Sequence, residues 1–174
     1  ILLAGGPGSG KGTQCAKLAK TFQMAHISVG DLLRNEVARG SDLGAEITEA
    51  MREGSMVSML ITKQLLMNAI AEVKDTSIGI LLDGFPRELE QAREFEASIG
   101  YCSFLLNFDC PQELLTARLL KRGETSGRAD DNAETIAKRL DTFNKLTQPV
   151  IDHYAQLNRV CTVSMAGLAS LFHC

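Results

Sequence analysis

The sequence predicts a single α/β domain built on a parallel sheet. Short apolar runs alternate with helical patterns along all 174 residues, the rhythm of strand–helix–strand units. Several of these runs are continuously apolar rather than alternating, as in strands buried on both faces. The first run also passes through a glycine-rich stretch, GGPGSGKGT, directly into a helical pattern.

The strands are expected at Ile1–Ala4, Ala25–Val29, Ile78–Leu82, Phe104–Phe108 and Arg159–Val163. Helical patterns fall near 11–22, 30–39, 42–53, 57–73, 88–98, 111–122, 132–144 and 147–157. Pro86, Pro111 and Pro149 stand near element starts, where a missing N–H costs little. The rhythm is interrupted twice. Three helices separate the second and third strands, and the polar stretch RGETSGRADD follows the helix near 111–122, read as a loop carrying Gly123 and Gly127. No repeat or interdomain linker is evident, so one domain over 1–174 is expected.

Composition narrows the function. The net charge is −3, which argues against nucleic acid or an anionic membrane as the main partner. No apolar run approaches the roughly 18 residues of a membrane span, and Ile1–Ala4 is too short for a signal-peptide core. The chain does not begin with Met, so the natural N-terminus is expected upstream. Cys15, Cys102, Cys110, Cys161 and Cys174 are odd in number and lack C-x-x-C spacing. They read as free thiols in a reducing, cytoplasmic compartment rather than as disulfides or a zinc site. His26, His153 and His173 form no ligand or triad spacing.

The stretch GGPGSGKGT nearly matches the P-loop pattern G-x-x-x-x-G-K-[ST], with Gly12 after Lys11 and the hydroxyl one place later, on Thr13. Glycines let the backbone turn tightly and approach an anion. The loop's N–H groups and the following helix N-terminus surround phosphate oxygens. Lys11 would reach the outer phosphates, and Thr13 would approach Mg²⁺ directly or through water.

Three further segments carry arginines. HISVGDLLR (26–34) sets Asp31 and Arg34 on one helix face, and DGFPR (83–87) ends an apolar strand with Asp83 and brings Arg87 after Pro86. In RLLKRGETSGRADDNAETIAKR (118–139), Arg118 and Arg122 are spaced i,i+4, Arg128 lies between glycine and a helix cap, and Arg139 follows on the next helix. These motifs hold six of the chain's ten arginines. Guanidinium groups bind phosphate bidentately, so such a cluster suits two phosphorylated ligands.

Taken in order, these four segments resemble those of adenylate kinases and their nucleoside monophosphate kinase relatives, in the short-lid form, over nearly the whole chain. The resemblance implies a three-layer P-loop NTPase-type fold with a five-stranded parallel sheet, a monophosphate-binding insertion over about 30–60 and a lid over about 122–132. It implies transfer from MgATP to AMP, giving two ADP, in a protein that is often monomeric. The donor would be held by Gly8, Ser9, Gly10, Lys11, Gly12 and Thr13, with its base near Arg118 and Gly167 and its phosphates near Arg122. The acceptor would meet Ser28, Val29, Arg34, Gly84, Arg87, Gln91, Arg128 and Arg139. Lys11, Arg87, Arg122, Arg128 and Arg139 would stabilise the transferring group, and Thr13 and Asp83 would hold Mg²⁺, Asp83 through its water shell. The long-lid insertion that sometimes carries zinc-binding cysteines is missing, so no zinc is expected.

Gln91 matches the adenine-reading glutamine, because a carboxamide can address the N6 and N1 edge. Val29 departs from the threonine common in adenylate kinases and from the alanine of UMP/CMP kinases, so UMP/CMP kinase stands as an alternative. A catalytically idle nucleotide-binding module is the alternative from another class. A GTPase reading fails, since residues 144–147 read N-K-L-T and Pro86 stands where a switch glycine is needed.

Overall fold

The structure is a computed structural model that describes residues 1–75, 77–128 and 130–166. Five strands, β1 (Leu2–Ala4), β2 (Ala25–Ser28), β3 (Ile80–Asp83), β4 (Leu105–Asp109) and β5 (Val160–Ser164), form one sheet in the order β2-β3-β1-β4-β5. Every pairing is parallel, with Leu3 opposite Asp83 on one side of β1 and Leu106 on the other. The fold class expected from the sequence is the observed one. The connection after β1 runs toward the β2 edge and that after β3 toward β4, so both central strands release their loops at the same carboxyl edge, where open α/β sheets bind ligands.

The continuous apolar runs have a simple cause: both sheet faces are covered. Leu2, Leu82 and Leu105 point into a core with Leu66, Val150 and Tyr154, contributed by α4 (Met59–Val73) and α8 (Gln148–Gln156). Leu3, Leu81 and Phe108 point the other way, onto Cys15 of α1 (Lys11–Phe22). Each fully buried leucine contributes about 1.5–3 kcal/mol. A separate small core of Leu115, Leu119, Ile136 and Leu140 joins α6 (Gln112–Ser126) to α7 (Ala133–Thr142). Between β2 and β3 lie α2 (Val29–Ala38), α3 (Gly44–Glu53) and α4, and α5 (Leu89–Ser98) precedes β4.

Three expectations need correction. The strand expected to reach Val29 ends at Ser28, whose hydroxyl accepts the Asp31 N–H at 3.3 Å and caps α2. The stretch 122–131 is not all loop: α6 continues through Ser126 and stops at Gly127, where φ is +63°. The two helices expected at 132–144 and 147–157 form one continuous helical run, joined by a π-helical stretch, Phe143–Thr147. Pro149 lacks an N–H just inside α8, and the residue before it, Gln148, donates in the wider π register to the Phe143 carbonyl.

Gly123, expected in the loop, is therefore a helical residue. A Cβ there would lie 2.5 Å from the Asp131 carbonyl oxygen, so glycine is what lets the segment after the helix fold back against it. Gly123→Ala should destabilise the protein by about 1–2 kcal/mol net, because overpacking at a backbone contact costs about 1–3 kcal/mol and outweighs alanine's helix propensity. Thermal denaturation should record a lower Tm; an unchanged or raised Tm would contradict the close approach.

Candidate active site

The loop after β1 is shaped by steric exclusion. Gly8 has φ +84°, and a Cβ on it would lie 2.9 Å from both the Leu115 carbonyl oxygen and Leu119 Cγ. The loop can thus lie flat on α6 only without a side chain there. Lys11 opens α1 and folds back under the loop, donating to the carbonyls of Gly5 at 2.6 Å and Gly6 at 2.9 Å, with Ser9 Oγ at 3.4 Å. Burial lowers its pKa to about 8, against the opposing pull of Asp83 and with the repulsion of Arg87 and Arg139. Carbonyl oxygens supply its hydrogen bonds, so an incoming anion would relieve a poorly compensated charge.

The loop after β3 carries the facing wall. Asp83 is buried at the strand end, 3.8 Å from His26 Nε2 on β2. Arg87 is tied at three points. Its Nε donates to the Gly84 carbonyl at 2.9 Å, its backbone N–H to Gln91 Oε1 at 2.9 Å, and its carbonyl accepts the Thr147 hydroxyl at 2.9 Å. Burial, and then the charge of Arg139, hold its guanidinium below its ordinary pKa.

On α2, Arg34 forms a short charge-assisted contact with Asp31, one turn away. Asp31 also lies 4.0 Å from Arg128, which approaches from the loop after α6. Burial, and then repulsion from Arg34 and Arg122, lower the Arg128 pKa. Arg122 binds Asp131 through two hydrogen bonds of 2.7 Å each, and Arg139 reaches the same carboxylate at 3.1 Å and Asp130 at 2.8 Å. Burial pushes Asp131 up, but Arg122, Arg139 and Arg128 outweigh it and hold the carboxyl below the usual range. Arg118, one turn before Arg122, points its guanidinium at Cys110 Sγ, 3.7 Å away.

These groups line one cleft of about 640 Å³ at the carboxyl edge of the sheet. The cleft brings together Gly8, Gly10, Lys11, Gly12, Thr13, Ser28, Arg34, Asp83, Gly84, Arg87, Arg118, Arg122, Arg128 and Arg139. Ser9 is the exception in the loop: its side chain is fully buried beneath it. Val29 and Gln91 line a smaller annex of about 70 Å³, walled also by Leu33, Met51 and Val57 and touching Arg34, Gly84, Arg87 and Arg139. Gly167 lies outside the described residues. Oxygen donors suited to a hard cation, the Asp83 carboxylate and the Thr13 hydroxyl, border the cleft on the phosphate-loop side.

Sequence reasoning did not assign Asp130, Asp131 or Thr147 to the site. Asp131 read as part of a helix cap, and indeed Asn132 beside it caps α7 through the Thr135 N–H at 2.9 Å. Two adjacent acids between Arg122, Arg128 and Arg139 were the available signal. Thr147 lies 60 residues from Arg87, and no local pattern announces it.

The chain matches the sequence model of the adenylate kinase family over residues 3–159. It is 49% identical over 167 residues to adenylate kinase 1 of Schistosoma mansoni, spanning 96% of this chain and 85% of that one. Adenylate kinase isoenzyme 1 of Homo sapiens is 48% identical over 167 residues, spanning 96% of this chain and 86% of the relative. A uridylate kinase of Saccharomyces cerevisiae is also 48% identical, over 165 residues, 94% of this chain and 81% of the relative.

The Asp131 carboxylate is fully buried; losing it leaves Arg122 without its carboxylate and Arg139 with Asp130 alone. Asp131→Ala should cost about 2–3 kcal/mol, the range for charged hydrogen bonds broken in a protected setting. Urea unfolding should give a lower midpoint with the same slope; a midpoint equal to wild type would show that the arginines do not depend on Asp131.

Proposed function

The chain belongs to the adenylate kinase family, and we propose that it transfers the γ-phosphoryl group of MgATP to AMP, giving two ADP. The observation that carries this reading is the convergence of Lys11 with Arg34, Arg87, Arg122, Arg128 and Arg139 on one cleft in a chain whose net charge is −3. So many cations in one place suit two phosphorylated ligands brought end to end.

In this reading the phosphate loop and Lys11 hold the donor's outer phosphates, with the donor base toward Arg118 and Gly167. Arg34 and Arg87 hold the acceptor phosphate, and Val29 and Gln91 meet its base in the annex. A phosphate oxygen of AMP attacks the γ-phosphorus; that P–O bond forms as the bond to the β–γ bridging oxygen breaks, and ADP leaves. The attacking oxygen is already ionised near neutral pH, so no general base is needed. Catalysis rests on alignment and on neutralising the charge of the transferring group. Mg²⁺, when bound with ATP, supplies further charge neutralisation, and Thr13 and Asp83 are the residues that would hold it. Arg122, Arg128 and Arg139 come from the lid side, and their closure over the nucleotides would exclude water. The contacts Arg139 and Arg128 make with Asp130, Asp131 and Asp31 keep the cations ordered until phosphates compete for them.

UMP or CMP is the second reading of the acceptor. Val29 favours it over a threonine-bearing adenine site, because valine offers the base no hydrogen bond. Gln91 favours adenine: it lines the annex with its Oε1 held by the Arg87 N–H, and a carboxamide can both donate and accept.

Lys11→Met keeps the stem and removes the charge. Turnover should fall by about a hundredfold or more, the scale of losing a transition-state charge contact, while the circular dichroism spectrum stays native. A folded variant with near wild-type kcat would remove Lys11 from the mechanism.

A coupled assay over AMP, GMP, UMP and CMP tests the acceptor. AMP should exceed UMP and CMP by at least about tenfold in kcat/KM, since an unpaired polar group in the annex costs about 1–3 kcal/mol, and Gln91→Asn should narrow the ratio. Preference for UMP or CMP would overturn the adenylate reading. No transfer to any monophosphate would leave the idle nucleotide-binding module.

A further inference from the structure

Cys15 on α1, His26 on β2 and Asp83 at the end of β3 each present one donor atom, and the three atoms lie within 4.8 Å of one another. His26 Nε2 and Asp83 Oδ2 are 3.8 Å apart. His26 Nε2 is buried and has no hydrogen-bond partner among the described residues, a costly arrangement for a ring nitrogen unless something else occupies it. We propose that Cys15, His26 and Asp83 form a binding site for one soft divalent cation, zinc by the chemistry of its donors, and that filling the site stops phosphoryl transfer.

The donor set selects the ion. A thiolate with an imidazole favours zinc or copper, whereas magnesium prefers oxygen donors. Zinc holds sulfur at about 2.3 Å and nitrogen or oxygen at about 2.0–2.2 Å, so neighbouring tetrahedral donors stand about 3.3–3.7 Å apart. The His26–Asp83 pair needs to close by only a few tenths of an ångström on that scale, and the widest pair by about 1 Å, within reach of side-chain rotation. Cys15 and the His26 Nε2 atom are buried, while His26 and Asp83 border the cleft, the side from which an ion and a fourth ligand would arrive. On binding, the thiol proton leaves to solvent. The site then passes from one negative charge, on the carboxylate, to neutrality, so Lys11 loses the attraction of Asp83.

The inhibitory half rests on the kinase reading above: a carboxylate of Asp83 bound to zinc is withdrawn from the magnesium of MgATP. The binding half stands on geometry alone.

Cobalt(II) is the probe, titrated into the full, nucleotide-free chain in a thiol-free buffer. A single equivalent should produce a thiolate-to-cobalt charge-transfer band and tetrahedral visible bands, and zinc should abolish both. Cys15→Ala should lose the charge-transfer band, and His26→Gln should weaken binding at least tenfold; Cys15→Ser serves if the alanine variant does not fold. Zinc should inhibit wild-type turnover, with Cys15→Ala at least tenfold less sensitive. No charge-transfer band in the wild type, or one that survives in Cys15→Ala through another thiol such as Cys110 or Cys161, would overturn the site. Equal zinc inhibition of wild type and Cys15→Ala would overturn the inhibition. A wrong acceptor assignment would appear instead as wild-type protein inactive toward AMP with MgATP and no added zinc, leaving the cobalt result untouched.

Discussion

One buried carboxylate organises the cationic side of the cleft. Asp131 has a fully buried side chain and binds Arg122 through both oxygens and Arg139 through one. Two guanidinium groups from different helices could not otherwise be held so near each other in a protected setting, because like charges repel strongly where water is excluded. The carboxylate is itself in position only because Gly123 allows the chain after α6 to fold back, its carbonyl standing where a Cβ of residue 123 would be. Helix, glycine, acid and arginines form one dependent chain. The small core of Leu115, Leu119, Ile136 and Leu140 beneath them fixes α6 against α7, so the arginines approach the cleft from a rigid base.

The phosphate loop shows the same economy on the opposite wall. Gly8 is in left-handed backbone and in contact with α6, so the loop is pressed onto the helix that carries Arg118 and Arg122. Lys11 is held by loop carbonyls, and Arg87 by its own turn and by Thr147. These two cations are thus ordered by neutral partners. Such preorganisation is what charge stabilisation of a transferring group requires, since groups already in place need not reorganise during the reaction.

Much of this was legible in the residues. The strand–glycine loop–helix junction, the continuous apolar strands and the arginine segments all depend on local chemistry: backbone freedom, burial on two faces and the spacing of like charges along a helix. The misreadings share one cause. The stretch 122–131 looks like a loop because it is polar and holds two glycines, yet α6 extends to Ser126, where Arg122 is anchored by a contact nine residues on. Likewise residues 145–146 read as the gap between two helices, whereas the backbone runs on as the π-helical stretch Phe143–Thr147, whose Thr147 hydroxyl is bonded to the distant Arg87 carbonyl.

By itself, then, the sequence determined the α/β class, the position of the glycine-rich loop between β1 and α1, and the arginines available to the cleft, because each is set by neighbours within a few residues. Only the tertiary structure decided which acids neutralise those arginines, that Thr147 braces Arg87 across 60 residues, and that Cys15, His26 and Asp83 meet. Those three come from a helix and two strands that become neighbours through the β2-β3-β1 order of the sheet. The physical reason is that strand order and helix packing are global outcomes of burying both sheet faces, and side chains far apart in the chain acquire their partners only once that burial is complete.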